Sequence, residues 1–171
     1  MTQYISKLKW WQIGLAALAV SAIGGLSSFK SRRKEKSLYT EDLQQAPWAP
    51  PSWVFGPAWA INNFFLLFAL QHLHKYYTDD KKKLIVLQSF IWVIYFSFGY
   101  VYFNKRSPIL ASVWTVADAG LALSSFIISR RNSKKLSSYY LPLTAWTLFA
   151  STLAIYQAFN NKDPLFQKSL T

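Results

Sequence analysis

Asp118 is the single acidic side chain inside any long apolar stretch of this chain. A carboxylate set among hydrocarbon is costly, so it normally faces a protein interior with a partner and marks a functional position. A structural hydrogen bond to a neighbouring helix fits it equally well. The other residues of note are tryptophans. Trp48, Trp53 and Trp59 fall within one twelve-residue segment, Trp48-Ala49-Pro50-Pro51-Ser52-Trp53-Val54-Phe55-Gly56-Pro57-Ala58-Trp59. The paired prolines force an extended entry, because each restricts the residue before it. Indole prefers the headgroup boundary of a bilayer, which accounts for Trp48 and Trp53. Trp59 lies about two helical turns deeper. Packing and the lining of a pocket for a flat ligand both fit it.

Other chemistries are poorly served. The chain has no cysteine, which removes disulfides and thiol nucleophiles. His72 and His74 are two residues apart, so on a helix they point in different directions and make a poor metal pair. No metal is expected. The net charge of +12 raises the question of nucleic acid. The basic residues form no single stripe, however. They cluster at Lys7 and Lys9, 30–36, 75–83, 105–106, 130–135, and Lys162 and Lys168, each bordering an apolar block. Long cationic side chains there reach lipid headgroups while their stems stay in apolar surroundings. The expected partner is a bilayer, with no nucleic acid.

The elements that must position these residues are transmembrane helices. The chain is 52% hydrophobic and only 15% charged, against about a quarter charged in soluble domains. Its apolar residues gather into blocks of about twenty, enough for a helix to cross the roughly 30 Å hydrocarbon layer. The expected spans are 10–29, 53–73, 84–103, 109–129 and 139–159, in one domain over residues 1–171. The first block also has features of a signal peptide, but its length reads as a retained span. Pro142 is expected in the first turn of the fifth span, where a missing N–H is tolerated. Connections of about 4 to 10 residues after the second span imply antiparallel neighbours. Small residues in the fourth, among them Ala111, Ser112 and Gly120, permit close helix packing. The fold class is an all-α membrane protein, a five-transmembrane-helix bundle. Its orientation stays open. Ten Lys and Arg flank one side of the spans and nine the other, so the positive-inside rule does not choose.

The segment from Trp48 to Trp59 resembles the signature of the tryptophan-rich sensory protein (translocator protein) family, Trp-x-Pro-Pro-x-Trp-x-Phe-Gly-Pro-x-Trp, at every fixed position. Tyr140-Leu141-Pro142-Leu143-Thr144-Ala145-Trp146 resembles the family's fifth-helix Tyr-Pro-Tyr-Leu-Ala-Trp, with one extra residue before the proline. The resemblance covers the five-span layout and nearly the whole chain. It implies a cavity that binds porphyrin or another flat hydrophobic ligand. Trp59 and Trp146 would form its wall, with Phe55, Tyr95, Phe98, Trp114, Asp118 and Ala150 as further contacts. Large rigid aromatic faces suit such a ligand, since they stack at little entropic cost. The loop before the second span, 30–52, would close over the mouth and bring basic residues toward ligand carboxylates.

The implied function is a membrane binding protein with a sensory, regulatory or transport role. It implies no required cofactor, and a porphyrin or haem-type tetrapyrrole, or a similar flat hydrophobic molecule, as the expected ligand. Light-dependent porphyrin degradation, with Trp59 and Trp146 as redox participants, is one alternative, although no catalytic residue is assigned. A transporter or regulatory partner without a tight ligand is another. The resemblance also allows a homodimer.

Three departures bear on the site. The family's third-span Asn-x-x-Trp-x-x-x-Phe-Phe is replaced here by Tyr95-Phe96-Ser97-Phe98, followed by Tyr102 and Phe103. The aromatic–arginine ending of the last span, linked to sterols in animal members, reads Leu153-Ala154-Ile155-Tyr156-Gln157-Ala158-Phe159. Placing Asp118 on the family's fourth-span acid needs an insertion of about four residues after Arg106; a gapless alignment puts Trp114 there. We take Asp118.

Overall fold

The computed structural model describes residues 5, 7–26 and 43–168. Most of the loop expected over the pocket mouth, including its basic residues at 30–36, lies outside the described residues. Five α-helices account for most of the rest: α1 (Trp10–Leu26), α2 (Phe55–Lys75), α3 (Lys81–Gly99), α4 (Pro108–Asn132) and α5 (Lys134–Asn160). A 3-10 turn over Ser52–Val54 leads into α2, and a π-helical turn over Tyr100–Asn104 extends α3. No strand occurs among the described residues.

The stretches Ser52–Lys75, Lys81–Asn104 and Pro108–Asn132 are long and apolar enough to cross a membrane, and α1 is a shorter apolar helix. Helix α5 has the length, at 27 residues, but carries more hydroxyls. Thr144, Thr147 and Ser151 are buried, and each donates to the carbonyl four residues back, at 2.7 to 2.8 Å. That keeps their polar groups satisfied inside the bundle. Leu141, Leu148 and Phe149 of the same helix are exposed, as are Leu15, Ile61, Phe90, Val93 and Ile127 elsewhere. Apolar outside and polar inside is the arrangement lipid demands. The protein is an all-α integral membrane protein.

Around the bundle the neighbours run α1, α2, α5, α4, α3 and back to α1, with the most extensive packing between α4 and α5. These two are joined by one residue, Ser133, in extended conformation, which caps α5 by accepting from the Leu136 N–H at 3.4 Å. The connections after α2 are therefore shorter than the sequence implied. Helix α5 also begins five residues before the expected span, at Lys134, so Pro142 lies inside the helix rather than in its first turn. Its ring costs the helix one internal hydrogen bond at that point.

The half of the bundle near the N-terminus of α5 is solid. Leu66, Leu73, Leu84, Ile91, Leu136 and Leu143 pack there around the fully buried Tyr140. The Tyr140 hydroxyl donates to Gln88 Oε1 at 3.2 Å, and Gln88 Nε2 donates to the Leu66 carbonyl at 2.9 Å. One polar chain thus ties α5, α3 and α2. In the other half, Gly24 of α1 lies against Tyr95 of α3 so closely that a Cβ would collide with the phenol. Gly24→Ala is expected to push Tyr95 inward and to cost about 1–3 kcal/mol, typical of overpacking. A lower thermal midpoint of the detergent-solubilised variant checks this.

Candidate functional site

The second half of the bundle is hollow. A cavity of about 390 Å³ opens beside Ser52 and Trp53 and is walled by α2, α3, the π turn, α4 and α5. The Trp-Ala-Pro-Pro-Ser-Trp segment builds its mouth. Pro51 is extended (φ −55°, ψ 145°), and the 3-10 turn that follows aims the chain into α2. Before it, residues 43–50 form a strap across the end of α5. Trp48 Nε1 donates to Thr152 Oγ1 at 3.1 Å and its ring meets Tyr156 edge-on at 5.4 Å. Gln157 Nε2 donates to Gln45 Oε1 at 2.6 Å. Asn161 accepts from the Gln44 N–H at 2.7 Å and donates to its carbonyl at 3.1 Å.

Each helix contributes one stripe. On α2, Phe55 and Trp59 are four residues apart and therefore on one face. On α5 the stripe is Trp146, Ala150, Leu153 and Gln157, and on α4 it is Ala111, Thr115 and Asp118. The rings hold one another. Trp59 and Tyr95 meet at 4.9 Å between centroids, and Phe55 meets Trp146 edge-on at 5.5 Å. The π turn, closed by the Lys105 N–H on the Tyr100 carbonyl at 3.0 Å, brings both Tyr102 and Phe103 to the wall. Tyr102 stacks on Phe98 at 5.6 Å with planes 12° apart. Single π turns of this sort recur at functional sites.

Of the residues singled out from the sequence, Phe55, Trp59, Tyr95, Phe98, Asp118, Trp146 and Ala150 line this one cavity. Trp114 does not. It sits on the neighbouring stripe of α4 and its Nε1 donates to Ser97 Oγ at 2.9 Å, which makes it a tie between α4 and α3. Tyr102, Phe103, Thr115 and Gln157 line the cavity without having been singled out as contacts. For Tyr102 the signal was present, since Phe98 and Tyr102 are four residues apart on a helix already rich in aromatics.

In the wall, Asp118 Oδ1 and Trp146 Nε1 have no hydrogen-bond partner among the described residues. Asp118 is only 2% exposed and stands ten residues into α4, about 15 Å along the helix axis. It is therefore well inside the apolar helix, away from both ends. Buried polar groups are nearly always paired, so an acceptor and a donor left open on one cavity wall require an explanation.

The TspO/MBR family model matches residues 15–159, a range that contains all of α2, α3 and α4, nearly all of α5 and most of α1. The tryptophan-rich protein TspO of Archaeoglobus fulgidus is 30% identical over 147 residues, which is 81% of this chain and 91% of that protein. The match to the family model, the relative and the aromatic cavity behind the Trp48–Trp59 motif agree, and the chain belongs to the TspO/MBR family.

Proposed function

We propose that this protein binds a flat hydrophobic ligand of the tetrapyrrole class within the membrane, in a sensory, regulatory or transport role. The observation that carries the reading is the 390 Å³ cavity, whose wall gathers Trp59, Tyr95, Phe98, Tyr102 and Trp146 from three segments of the chain. Its volume falls within the roughly 300–1,000 Å³ of small-molecule sites. Aromatic walls of this kind match a planar ligand and exclude nothing by charge, apart from Asp118. Trp53 lines the cavity and Trp48 lies just before it in the chain, and indoles favour the headgroup level, which supports a lateral route for a lipid-soluble ligand.

The test is a porphyrin titration of the detergent-solubilised protein, followed by quenching of tryptophan fluorescence. Saturable quenching is expected, with affinity about tenfold weaker in both Trp59→Phe and Trp146→Phe, the loss of about one aromatic contact each. Non-saturable quenching of equal size in all three proteins would overturn the reading.

A further inference from the structure

The polar inventory of the cavity is lopsided. Among the described residues no Lys, Arg or His lines it. The hydroxyls nearest in sequence to Asp118 and Trp146 are already committed: Thr115 Oγ1 donates to the Ala111 carbonyl at 2.7 Å and Thr147 Oγ1 to the Leu143 carbonyl at 2.8 Å. The Gln157 amide is held by the strap. That leaves one Asp118 carboxylate oxygen with nothing donating to it among the described residues, in a cavity whose wall also holds Trp59, Tyr95 and Trp146.

A buried carboxylate without a counter-charge is expensive, and ring faces attract cations rather than anions. A carboxylate in an aromatic box is the recognition chemistry of an organic cation. We propose that the cavity selects flat ligands that present a protonated nitrogen at one edge, with Asp118 as counter-ion and hydrogen-bond acceptor and Trp59, Tyr95 and Trp146 as the stacking and cation–π surfaces. This deepens the reading of the cavity as a site for a flat ligand and rests on it. The open Trp146 N–H then serves an acceptor atom on the same ligand. Ligands whose carboxylates would enter the cavity first are disfavoured, so an acidic porphyrin enters with its acidic edge toward the mouth.

Three probes of one outline separate charge from shape: 9-aminoacridine, a flat cation at neutral pH; the neutral 9-methylanthracene; and the anionic anthracene-9-carboxylate. Each is titrated into the detergent-solubilised protein and into Asp118→Asn, alongside porphyrin. The wild type is expected to bind the cation about 10- to 100-fold more tightly than the neutral probe, as a charged hydrogen bond requires, and the anion most weakly. Asp118→Asn keeps the outline and an acceptor oxygen but removes the charge. It should erase the preference for the cation over the neutral probe.

Equal binding of cation and neutral probe by the wild type overturns the proposal, and so does a preference that survives in Asp118→Asn. If that variant does not fold, the wild-type ranking decides. Saturable porphyrin binding with no preference among the probes leaves the cavity reading standing and removes the counter-ion. Failure of every ligand, porphyrin included, removes both.

Discussion

Asp163→Ala is expected to lower the stability of the detergent-solubilised protein by about 2–4 kcal/mol, because four donors lose their acceptor at once. Asp163 is fully buried where the segment after α5 folds back over the start of α4. Its Oδ2 accepts from Ser107 Oγ at 2.5 Å and from the Ile109 N–H at 3.0 Å. Oδ1 accepts from the N–H groups of Leu165 and Phe166 at 2.8 and 3.2 Å. Ser107 is itself the N-cap of α4, accepting from the Leu110 N–H at 3.1 Å, so the loss spreads to the helix start. The same segment carries Asn161, which holds the strap at Gln44. Faster proteolytic cleavage after α5, together with a lower thermal midpoint, checks the prediction. An unchanged midpoint would show that the clasp contributes nothing.

The pH dependence has a definite sign. Burial pushes the Asp163 carboxyl up, but the hydrogen bonds from Ser107, Ile109, Leu165 and Phe166 outweigh it and hold the group below its ordinary value. A carboxyl whose folded pKa lies below its unfolded value, about 3.9, binds protons more readily when unfolded. Its stabilisation is complete above that value and is lost as pH falls through the folded pKa. The wild type should therefore lose a component of stability below about pH 4 that Asp163→Ala lacks from the start.

Much of this architecture could be read directly from residue order. Apolar blocks bounded by lysines and arginines locate α1 to α4 because hydrocarbon thickness fixes the length a span must have. Trp59 was legible because it lies about two turns inside its span, where an aromatic belt does not explain it, and Trp146 through the resemblance of Tyr140–Trp146 to the family's fifth-helix motif. Helix α5 shows where this breaks down. Its start is set by the Ser133 cap and by packing on α4, not by hydropathy, so Lys134 to Ser138 extend it beyond the apolar block. Trp114 shows the limit of register. Asp118 is one turn further along, and the spacing of Ala111, Thr115 and Asp118 decides which stripe faces the cavity. A stripe becomes visible only when its neighbours are known.

The π turn is less legible still, since one inserted residue in the hydrogen-bond ladder leaves no pattern in composition, yet it brings both Tyr102 and Phe103 to the wall. The Asp163 clasp had local signals. Ser107-Pro108 is a helix start of the Ser-cap, Pro-N1 kind, and Asp163-Pro164 is a turn former, but nothing in either says that the two ends meet.

Ala150→Phe is expected to weaken ligand binding strongly while leaving the fold intact or stabilising it. Ala150 lies one turn beyond Trp146 on the cavity stripe of α5, so a phenyl ring there enters space that the ligand needs. In a packed core the same change would cost about 1–3 kcal/mol through strain. Here the added ring meets a void of about 390 Å³ and gains contacts with Trp146 and its neighbours. Filling a cavity commonly adds about 0.5–2 kcal/mol. Affinity for porphyrin should fall about 100-fold, equivalent to about 3 kcal/mol of lost binding, because a rigid planar ligand and the new ring compete for one volume. Leu148→Phe is the control, since Leu148 faces lipid on the same helix and its enlargement should change neither quantity. The combination separates site from scaffold. Weak binding with a raised or equal thermal midpoint places the ligand in the cavity, whereas unchanged affinity in Ala150→Phe would place it outside the bundle and sink the binding-site assignment. A fall in both would mean that the space is not free in the membrane-embedded protein, and that α5 is packed there as tightly as it is around Tyr140.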